Sequence, residues 1–359
     1  MKQLFISDCE GPISKNDNAY ELTEHFIPNG DKLFANISRY DDVLADVFAK
    51  PGYTAGSTLK LVLPFFKAYD ITDQQIEAFS AQNILLIADT KATLNHVQAV
   101  ADAFIVSTSY EHYIRSLCKA VDFPYKNTYC TKVRLDKYPI SPQEKNRLRE
   151  IAQEISQMPN ITIPATAKSV DDFSLSDQEA INRLDEIFWS ELPEMSMSRL
   201  LEVVTVGGEQ KAESIRDAAK RLDADLADVM YVGDSITDVE ALKLVHAAGG
   251  LSVSFNGNSY AVQNAEVAVQ SESNLVTAVL ADLFFKQGKT KTLSAVADWN
   301  FETLKHLGVD EALLKQFQQV SLCGLPKVQI VTAQNMQMII EESSVLRKKV
   351  RGVNIGRLG

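Results

Sequence analysis

The chain has 359 residues, of which 45% are hydrophobic and 23% charged, a composition typical of a globular protein with one large core or a few modest domains. Its formal net charge of -11 argues against a nucleic-acid partner, because an extended phosphate backbone is normally bound by a basic face. No segment approaches the ~20 apolar residues of a membrane span, and the start of the chain lacks a signal-peptide layout, so we expect a cytoplasmic protein without a membrane partner.

The four cysteines show no CxxC spacing and no nearby histidine pair, which argues against a structural zinc site. We expect them to be reduced thiols: Cys9, Cys118, Cys130 and Cys323.

The first predicted strand covers Leu4 to Ile6 and ends at Ser7, so Asp8 and Glu10 stand at its carboxyl end. Open α/β sheets place their chemistry at that end of the strands. Residues 14–82 then show helical periodicity and little strand pattern. We interpret residues 14–82 as a helical cap inserted after the first strand.

Strands and helices alternate from residue 83 to residue 135, with a helix at 90–100, a strand at 103–106 followed by Ser107 and Thr108, and a helix at 111–121. This order predicts βαβ units and a parallel sheet. Residues 136–199 break the alternation and form a predicted second insertion. The alternation resumes with the apolar segment 203–206, a helix from Lys211, and a strand at 229–232 that precedes Asp234 and Asp238.

The sequence therefore predicts an α/β fold whose core is made of residues 1–13, 83–135 and 200–287. Residues 288–359 form a C-terminal extension with helical stretches near 300–306 and 311–320. We expect this extension to serve as an interface or as a covering for the core, without chemistry of its own.

Polar side chains lie at the ends of predicted strands or the starts of helices, and a parallel sheet gathers such ends along one edge. Taken singly, each is more typical of a turn or a helix N-cap than of a functional site. Together they suit phosphoryl transfer: carboxylates hold Mg²⁺, one carboxylate is a nucleophile, and a hydroxyl and a lysine surround the phosphoryl oxygens. The set is Asp8, Glu10, Ser107, Thr108, Lys211, Asp234 and Asp238.

The chain resembles the haloacid dehalogenase-like (HAD) hydrolases, and in particular their phosphoserine phosphatase-like branch. The resemblance is carried by motifs in the family's order, and the closing strands near residues 250–269 are also similar. The motifs are Asp8-Cys9-Glu10-Gly11, Phe104-Ile105-Val106-Ser107-Thr108, Lys211 after Gly207-Gly208, and Tyr231-Val232-Gly233-Asp234-Ser235-Ile236-Thr237-Asp238.

The resemblance implies a Rossmann-like parallel-sheet core with a helical C1-type cap. It implies that Asp8 attacks phosphorus and that Glu10 protonates the leaving oxygen and later activates water. It also implies that Ser107 and Thr108 bind the phosphoryl group and that Lys211 neutralises charge on the nucleophile and the phosphate.

The resemblance further implies a magnesium ion held by the carboxylates of Asp8, Asp234 and Asp238 and by the backbone carbonyl of Glu10. Most phosphatases of the family have aspartate where Glu10 stands, and the extra methylene requires the acid to pivot.

We therefore expect a Mg²⁺-dependent phosphatase that acts on a small phosphorylated metabolite through an aspartyl-phosphate on Asp8. Two alternatives stay open: phosphotransfer to an acceptor hydroxyl, and a HAD scaffold that binds a protein partner or another copy of itself through the C-terminal extension. Asp17 is expected to cap a helix ahead of Tyr20, with substrate contact as the alternative. Cys9 is expected to pack in the core.

Overall fold

The structure is a computed structural model that describes residues 2–164, 166–322 and 324–357, without the side chain of residue 357. Met1, Ala165, Cys323, Leu358 and Gly359, which fall in the predicted core, second insertion and C-terminal extension, lie outside the described residues. The strands of the described chain form one sheet: β1 (Leu4–Ser7), β2 (Asp102–Tyr110), β3 (Thr128–Thr131), β4 (Val229–Gly233), β5 (Leu251–Phe255), β6 (Val267–Gln270) and β7 (Lys327–Ile330).

The α-helices occupy the connections between these strands. In chain order they are α1 (Asn18–Phe26), α2 (Gly30–Asp42), α3 (Thr58–Ala68), α4 (Asp73–Gln82), α5 (Thr90–Val100), α6 (Glu111–Val121), α7 (Pro142–Gln157), α8 (Leu175–Glu186), α9 (Glu209–Leu222), α10 (Val239–Ala247), α11 (Ser259–Asn264), α12 (Leu275–Gln287), α13 (Lys289–Ala297), α14 (Phe301–His306), α15 (Glu311–Val320) and α16 (Met336–Arg351).

The sheet has the strand order β3-β2-β1-β4-β5-β6-β7, and the predicted α/β architecture is confirmed. Strands β1 to β6 run parallel, and β7 pairs antiparallel with β6 at the edge. Strand β1 lies between β2 and β4. The connections on either side of β1 therefore run in opposite directions across the sheet. This switch point opens a crevice at the carboxyl ends of the strands.

Both faces of the sheet are covered by helices, as a parallel sheet requires. Alternate residues of each strand belong to different hydrophobic clusters: Phe5 and Ile105 pack on one face, and Leu4, Ile6 and Tyr231 on the other. Cys9 is fully buried in the first of these clusters, which confirms the prediction that it packs in the core. Cys118 and Cys130 are also buried thiols.

The helices of the predicted cap and those of the predicted second insertion share one hydrophobic cluster. It joins residues such as Leu33, Tyr40 and Phe65 to Ile151 and Phe188. Capping boxes start two of these helices: Thr72 with Gln75 at α4, and Ser141 with Glu144 at α7. The two segments, which are far apart in sequence, therefore share a single packed layer.

The segment 203–206, which the alternating pattern includes among the strands, is irregular in the structure. Its backbone is held by side chains instead of a strand ladder, because Val206 N–H donates to Thr131 Oγ1 at 3.1 Å and Val206 O accepts from Thr108 Oγ1 at 3.0 Å. Among the described residues, none of the helices combines the length and the apolar character needed to cross a lipid bilayer.

Candidate active site

Asp8 lies directly beyond β1, and its backbone N–H donates to Val232 O at 2.8 Å, which extends the pairing of β1 with β4. The side chain is 7% exposed. Its Oδ1 accepts the N–H of Cys9 at 2.7 Å and its Oδ2 lies 2.9 Å from Lys211 Nζ. Burial raises the pKa of Asp8 to about 7, although the positive charge of Lys211 opposes that shift.

Lys211 is completely buried in the first turn of α9, which follows the turn at Gly207 and Gly208. Its Nζ contacts Asp8 and also lies 2.7 Å from Asp238 Oδ1. Burial lowers the lysine pKa, but the two carboxylates outweigh this and keep it above its usual value. The ammonium group is therefore fixed between two acids at the floor of the crevice.

Asp238 holds Lys211 in place through a dense set of hydrogen bonds. Its Oδ1 also accepts from Tyr231 Oη at 2.6 Å, and its Oδ2 accepts the backbone N–H groups of Asp234 and Ser235 at 2.9 and 3.0 Å. Burial raises the pKa of Asp238, but Lys211 and these donors bring it below the usual aspartate value. Tyr231 lies on a strand, and the sequence motifs do not single it out as a contact of this kind.

Asp234 follows β4 and is fully buried between a glycine and two arginines. Its Oδ2 is hydrogen-bonded by Arg347 Nη1 and lies 3.1 Å from Arg351 Nη1. Arg347 Nη1 also donates to Asp234 O at 3.1 Å. Gly11 lies against the same carboxylate, because a Cβ at this position would be 2.1 Å from Asp234 Oδ2. Its φ of +111° independently requires glycine.

The arginines come from α16, so residues 288–359 place two positive charges at the candidate site, which the sequence analysis does not predict. Arg351 also donates to the backbone carbonyls of Lys15 and Asn16, which fixes α16 to the loop after β1. Sequence motifs missed both residues because they lie more than 100 positions beyond Asp234. The sequence does contain a signal that Arg347 is buried. Ile339, Ser343 and Arg347 recur every fourth residue on the buried side of α16, and an arginine is rarely found in such a position.

Glu10 faces the crevice from the loop between β1 and the cap. Its Oε1 accepts the N–H of Asn18, the first residue of α1, at 2.7 Å. Burial and then the charge of Asp17 raise the pKa of Glu10 well above its ordinary value. Asp17 accepts the N–H of Tyr20 at 3.0 Å, which confirms the predicted helix cap, and it also lines the cavity.

Ser107 and Thr108 lie on β2 beside Asp8's strand, and both line the same cavity. Ser107 is 1% exposed, and its Oγ accepts the N–H of Ser109 at 3.2 Å. Thr108 Oγ1 donates to Val206 O. The seryl hydroxyl proton therefore remains available for a ligand, whereas the threonine hydroxyl is committed to the backbone.

A cavity of about 100 Å³ connects these groups. Core, cap and C-terminal residues all contribute to its wall, with the cap supplying Phe34 and Leu59 and the C-terminal segment Ile355. The predicted residues that line it are Asp8, Glu10, Asp17, Ser107, Thr108 and Asp234, while Lys211 and Asp238 lie beneath it. The structure thus brings the predicted set together at one place.

The acidic residues at this place fit a divalent cation. Asp8, Asp234 and Asp238 each offer a carboxylate oxygen, and these atoms lie within 4.8 Å of one another. Asp234 Oδ1 is buried, and within the described residues no hydrogen bond reaches it. An oxygen in that condition suits a hard cation such as Mg²⁺.

The sequence model of the haloacid dehalogenase-like hydrolases matches residues 95–282, so the chain belongs to this family. The matched range contains Ser107, Lys211, Asp234 and Asp238, and it begins after Asp8. None of the curated proteins compared with the chain matches it.

Solved structures resemble this fold. Gene product AF1437 from Archaeoglobus fulgidus superposes with a TM-score of 0.80 at 25% identity, over 100% of this chain and 99% of that one. Phosphoserine phosphatase in its apo form gives a TM-score of 0.42 at 11% identity, over 76% of this chain and 96% of the other. A substrate-bound phosphoserine phosphatase gives 0.40 at 11% identity, over 76% and 95%.

Proposed function

We propose that this haloacid dehalogenase-like hydrolase is a Mg²⁺-dependent phosphatase that acts on a small phosphorylated metabolite through an aspartyl-phosphate on Asp8. The observation that carries the proposal is the buried contact between Asp8 and Lys211 beneath a cavity that Glu10 and Ser107 also line. A nucleophile, an acid, a hydroxyl donor and a fixed positive charge are the parts that phosphoryl transfer needs.

In the first half of the proposed reaction, an Asp8 carboxylate oxygen attacks phosphorus and the bond from phosphorus to the leaving oxygen breaks. Glu10 gives its proton to that oxygen, which leaves as an alcohol. Lys211 holds the carboxylate of Asp8 in place, and Ser107 donates to a phosphoryl oxygen. Thr108 lines the cavity from the adjacent position on β2, with its hydroxyl donating to Val206 O.

In the second half, the carboxylate of Glu10 takes a proton from water as the water oxygen attacks phosphorus. The bond between phosphorus and Asp8 breaks, inorganic phosphate leaves, and Glu10 is again protonated. The hydrogen bond from Asn18 N–H to Glu10 Oε1 keeps this side chain at the cavity.

The cation would be held by Asp8, by Asp238 and by Asp234, whose Oδ1 accepts no hydrogen bond from the described residues. The backbone carbonyl of Glu10 would add a neutral oxygen ligand. When bound, it would offset negative charge on the phosphoryl oxygens. A phosphate monoester fits these residues because a small cavity with a fixed lysine and a hydroxyl donor recognises an anionic group better than an apolar one.

Phosphotransfer to an acceptor hydroxyl is a second candidate. Phe34, Leu59 and Ile355 place apolar groups on the cavity wall, and such a wall disfavours water as the second acceptor.

Phosphate release from an aryl phosphate and from a panel of phosphorylated metabolites, with and without Mg²⁺, tests the proposal. We expect metal-dependent release that Asp8→Asn abolishes, because the amide cannot attack phosphorus. Asp225→Asn is the matched control, since Asp225 is exposed and caps a short turn ahead of β4. Added alcohols that appear as phosphorylated products would identify the transferase. The absence of turnover on the whole panel would overturn both versions.

A further inference from the structure

Asp234 is neutralised by two guanidinium groups that lie outside the part of the chain matched by the family model. Arg347 and Arg351 contact its Oδ2, and their side chains are 4% and 5% exposed. Guanidinium groups remain charged even when buried, and a carboxylate is their natural partner. The carboxylate that would attract a divalent cation is therefore already paired with two positive charges.

A cation that binds at Asp8 and Asp234 would meet positive charge on both sides. Lys211 forms an ion pair with Asp8, and Arg347 and Arg351 form ion pairs with Asp234. These groups are buried, and in such surroundings the repulsion between like charges is stronger than in water. The orphaned Oδ1 of Asp234 offers the cation a ligand, but the arginines on Oδ2 oppose its charge.

A phosphoryl group changes this balance. Arg347 and Arg351 line the same cavity as Asp8 and Ser107, so a phosphoryl dianion there would lie beside the arginines and the cation alike. The dianion adds negative charge between the cation and the positively charged side chains that repel it. It also supplies oxygen ligands to the cation. Glu10 and Asp17 also line the cavity, and both accept backbone N–H groups of α1.

We propose that Arg347 and Arg351 make divalent-cation binding at Asp8 and Asp234 depend on a phosphoryl group in the cavity. This rests on the proposed function, since it concerns the same cation and the same phosphoryl group. By linkage, the cation strengthens phosphoryl binding by the same factor. The enzyme without substrate then holds its cation weakly, and the two ligands arrive together.

The charge of the arginines can be separated from their role in docking α16. Arg351 also donates to Lys15 O and Asn16 O, so its removal weakens the attachment of the helix as well. A lysine in place of Arg347 keeps the positive charge and loses the planar fork. Loss of docking alone disorders Asp234 and weakens cation binding, whereas loss of charge strengthens it.

Titration of the full chain with Mn²⁺, read by electron paramagnetic resonance of the free ion, tests the proposal without any turnover. Mn²⁺ prefers the same oxygen ligands as Mg²⁺. In the wild type we expect saturating inorganic phosphate to lower the Mn²⁺ Kd by about tenfold or more. Arg351→Met should bind Mn²⁺ alone about tenfold more tightly than the wild type and lose most of the phosphate effect.

Two further variants complete the design. Arg347→Lys should keep the phosphate dependence. Lys349→Met should behave as the wild type, because Lys349 lies on the same helix but is 66% exposed and pairs with Glu272. If Arg351→Met does not fold, Arg351→Gln takes its place, because it removes the same charge and keeps hydrogen-bond donors for Lys15 O and Asn16 O, and it should show the same tighter binding of Mn²⁺.

Equal Mn²⁺ affinity with and without phosphate would overturn the proposal, as would an Arg351→Met protein that binds Mn²⁺ no more tightly than the wild type. In either case Mg²⁺-dependent phosphate release would still stand as evidence for the proposed function. A wild type that neither binds Mn²⁺ under either condition nor releases phosphate would overturn both.

Discussion

At the scale of single residues, the Asp234 carboxylate is held in position from two sides. Gly11 permits its close approach on one side, and Arg347 and Arg351 hold it on the other. Lys211 performs the equivalent task for Asp8. The carboxylates of this crevice are therefore each fixed by a lysine or arginine side chain or by backbone N–H groups. Small displacements of reacting groups lower reaction rates strongly.

Gly11→Ala should lower Mg²⁺-dependent phosphate release by at least about a hundredfold, because the new Cβ would lie 2.1 Å from Asp234 Oδ2 and must displace it. Gly52→Ala is the matched control. Gly52 also has a positive φ, +74°, but a methyl group added to it would have nothing within 4 Å. Both variants carry the conformational strain, so only the difference in activity reports on Asp234. Equal activities would contradict the position that the structure gives to this carboxylate.

Asp42 on α2 should make the protein less stable as the pH rises. Burial raises its pKa to about 7, with Asp41 adding to the shift and Arg39 opposing it. An acid whose pKa is raised by folding favours the folded state fully below its unfolded pKa of ~3.9, and that contribution is lost as the pH rises towards 7. The charged form is then buried at a free-energy cost.

Asp42→Asn should therefore raise the melting temperature by several degrees at about pH 8, with a smaller difference from the wild type at about pH 4. Thermal unfolding across this range is the measurement. Glu77→Gln, which removes an exposed carboxylate from α4, should show no such trend. A constant difference between Asp42→Asn and the wild type at all pH values would contradict the raised pKa.

The sequence alone locates some residues of the site and misses others. Asp8 and Asp234 follow apolar strands, and Lys211 starts a helix, so parallel-sheet topology predicts that they meet. The hydrogen bond from Tyr231 to Asp238 depends on which face of β4 the ring occupies. The buried stripe of α16 marks Arg347 as unusual, but its partner could not be named from the sequence, because that contact is set by how α16 docks.

At the scale of elements, α16 is the part of the extension that reaches the crevice. It packs through Ile339 on Val262 and Ala268, and Ser343 Oγ donates to Gly257 O at 2.7 Å. These contacts determine where Arg347 and Arg351, one to three turns further along the helix, can reach. The helix therefore links a small hydrophobic cluster on the edge of the sheet to the charged groups of the candidate active site.

Ile339→Ala should cost roughly 2–4 kcal/mol of stability and should also lower phosphate release, because a cavity beneath α16 loosens the helix that carries the arginines. Denaturant unfolding and turnover measure the two effects. Met338→Ala is the control, since its side chain is the neighbour on the same helix and is 46% exposed. Full activity in a destabilised Ile339→Ala protein would mean that the arginines do not depend on this docking.

At the scale of the whole molecule, one hydrophobic cluster joins two segments that the sequence presents as separate insertions. Residues 14–82 and 136–199 are separated along the chain by predicted strands, and that pattern carries no information on their mutual packing. In the structure Phe188 stacks on Tyr40 with ring centroids 5.9 Å apart and meets Phe65 edge-on at 6.3 Å. Such contacts between distant segments follow from complementary apolar faces, which a single sequence does not match to each other.

Phe188→Ala tests whether the two segments form one cooperative unit. Removing a fully buried ring that contacts α2 and α3 should cost about 3–5 kcal/mol. If the shared cluster is a unit, hydrogen exchange should accelerate in both 18–82 and 142–192 while β1 and β4 keep their protection. Leu175→Ala, on α8 of the same segment but 78% exposed, should change neither. Faster exchange in 142–192 alone would show that the cap helices fold without the second segment, and the crevice would then be closed by the first insertion by itself.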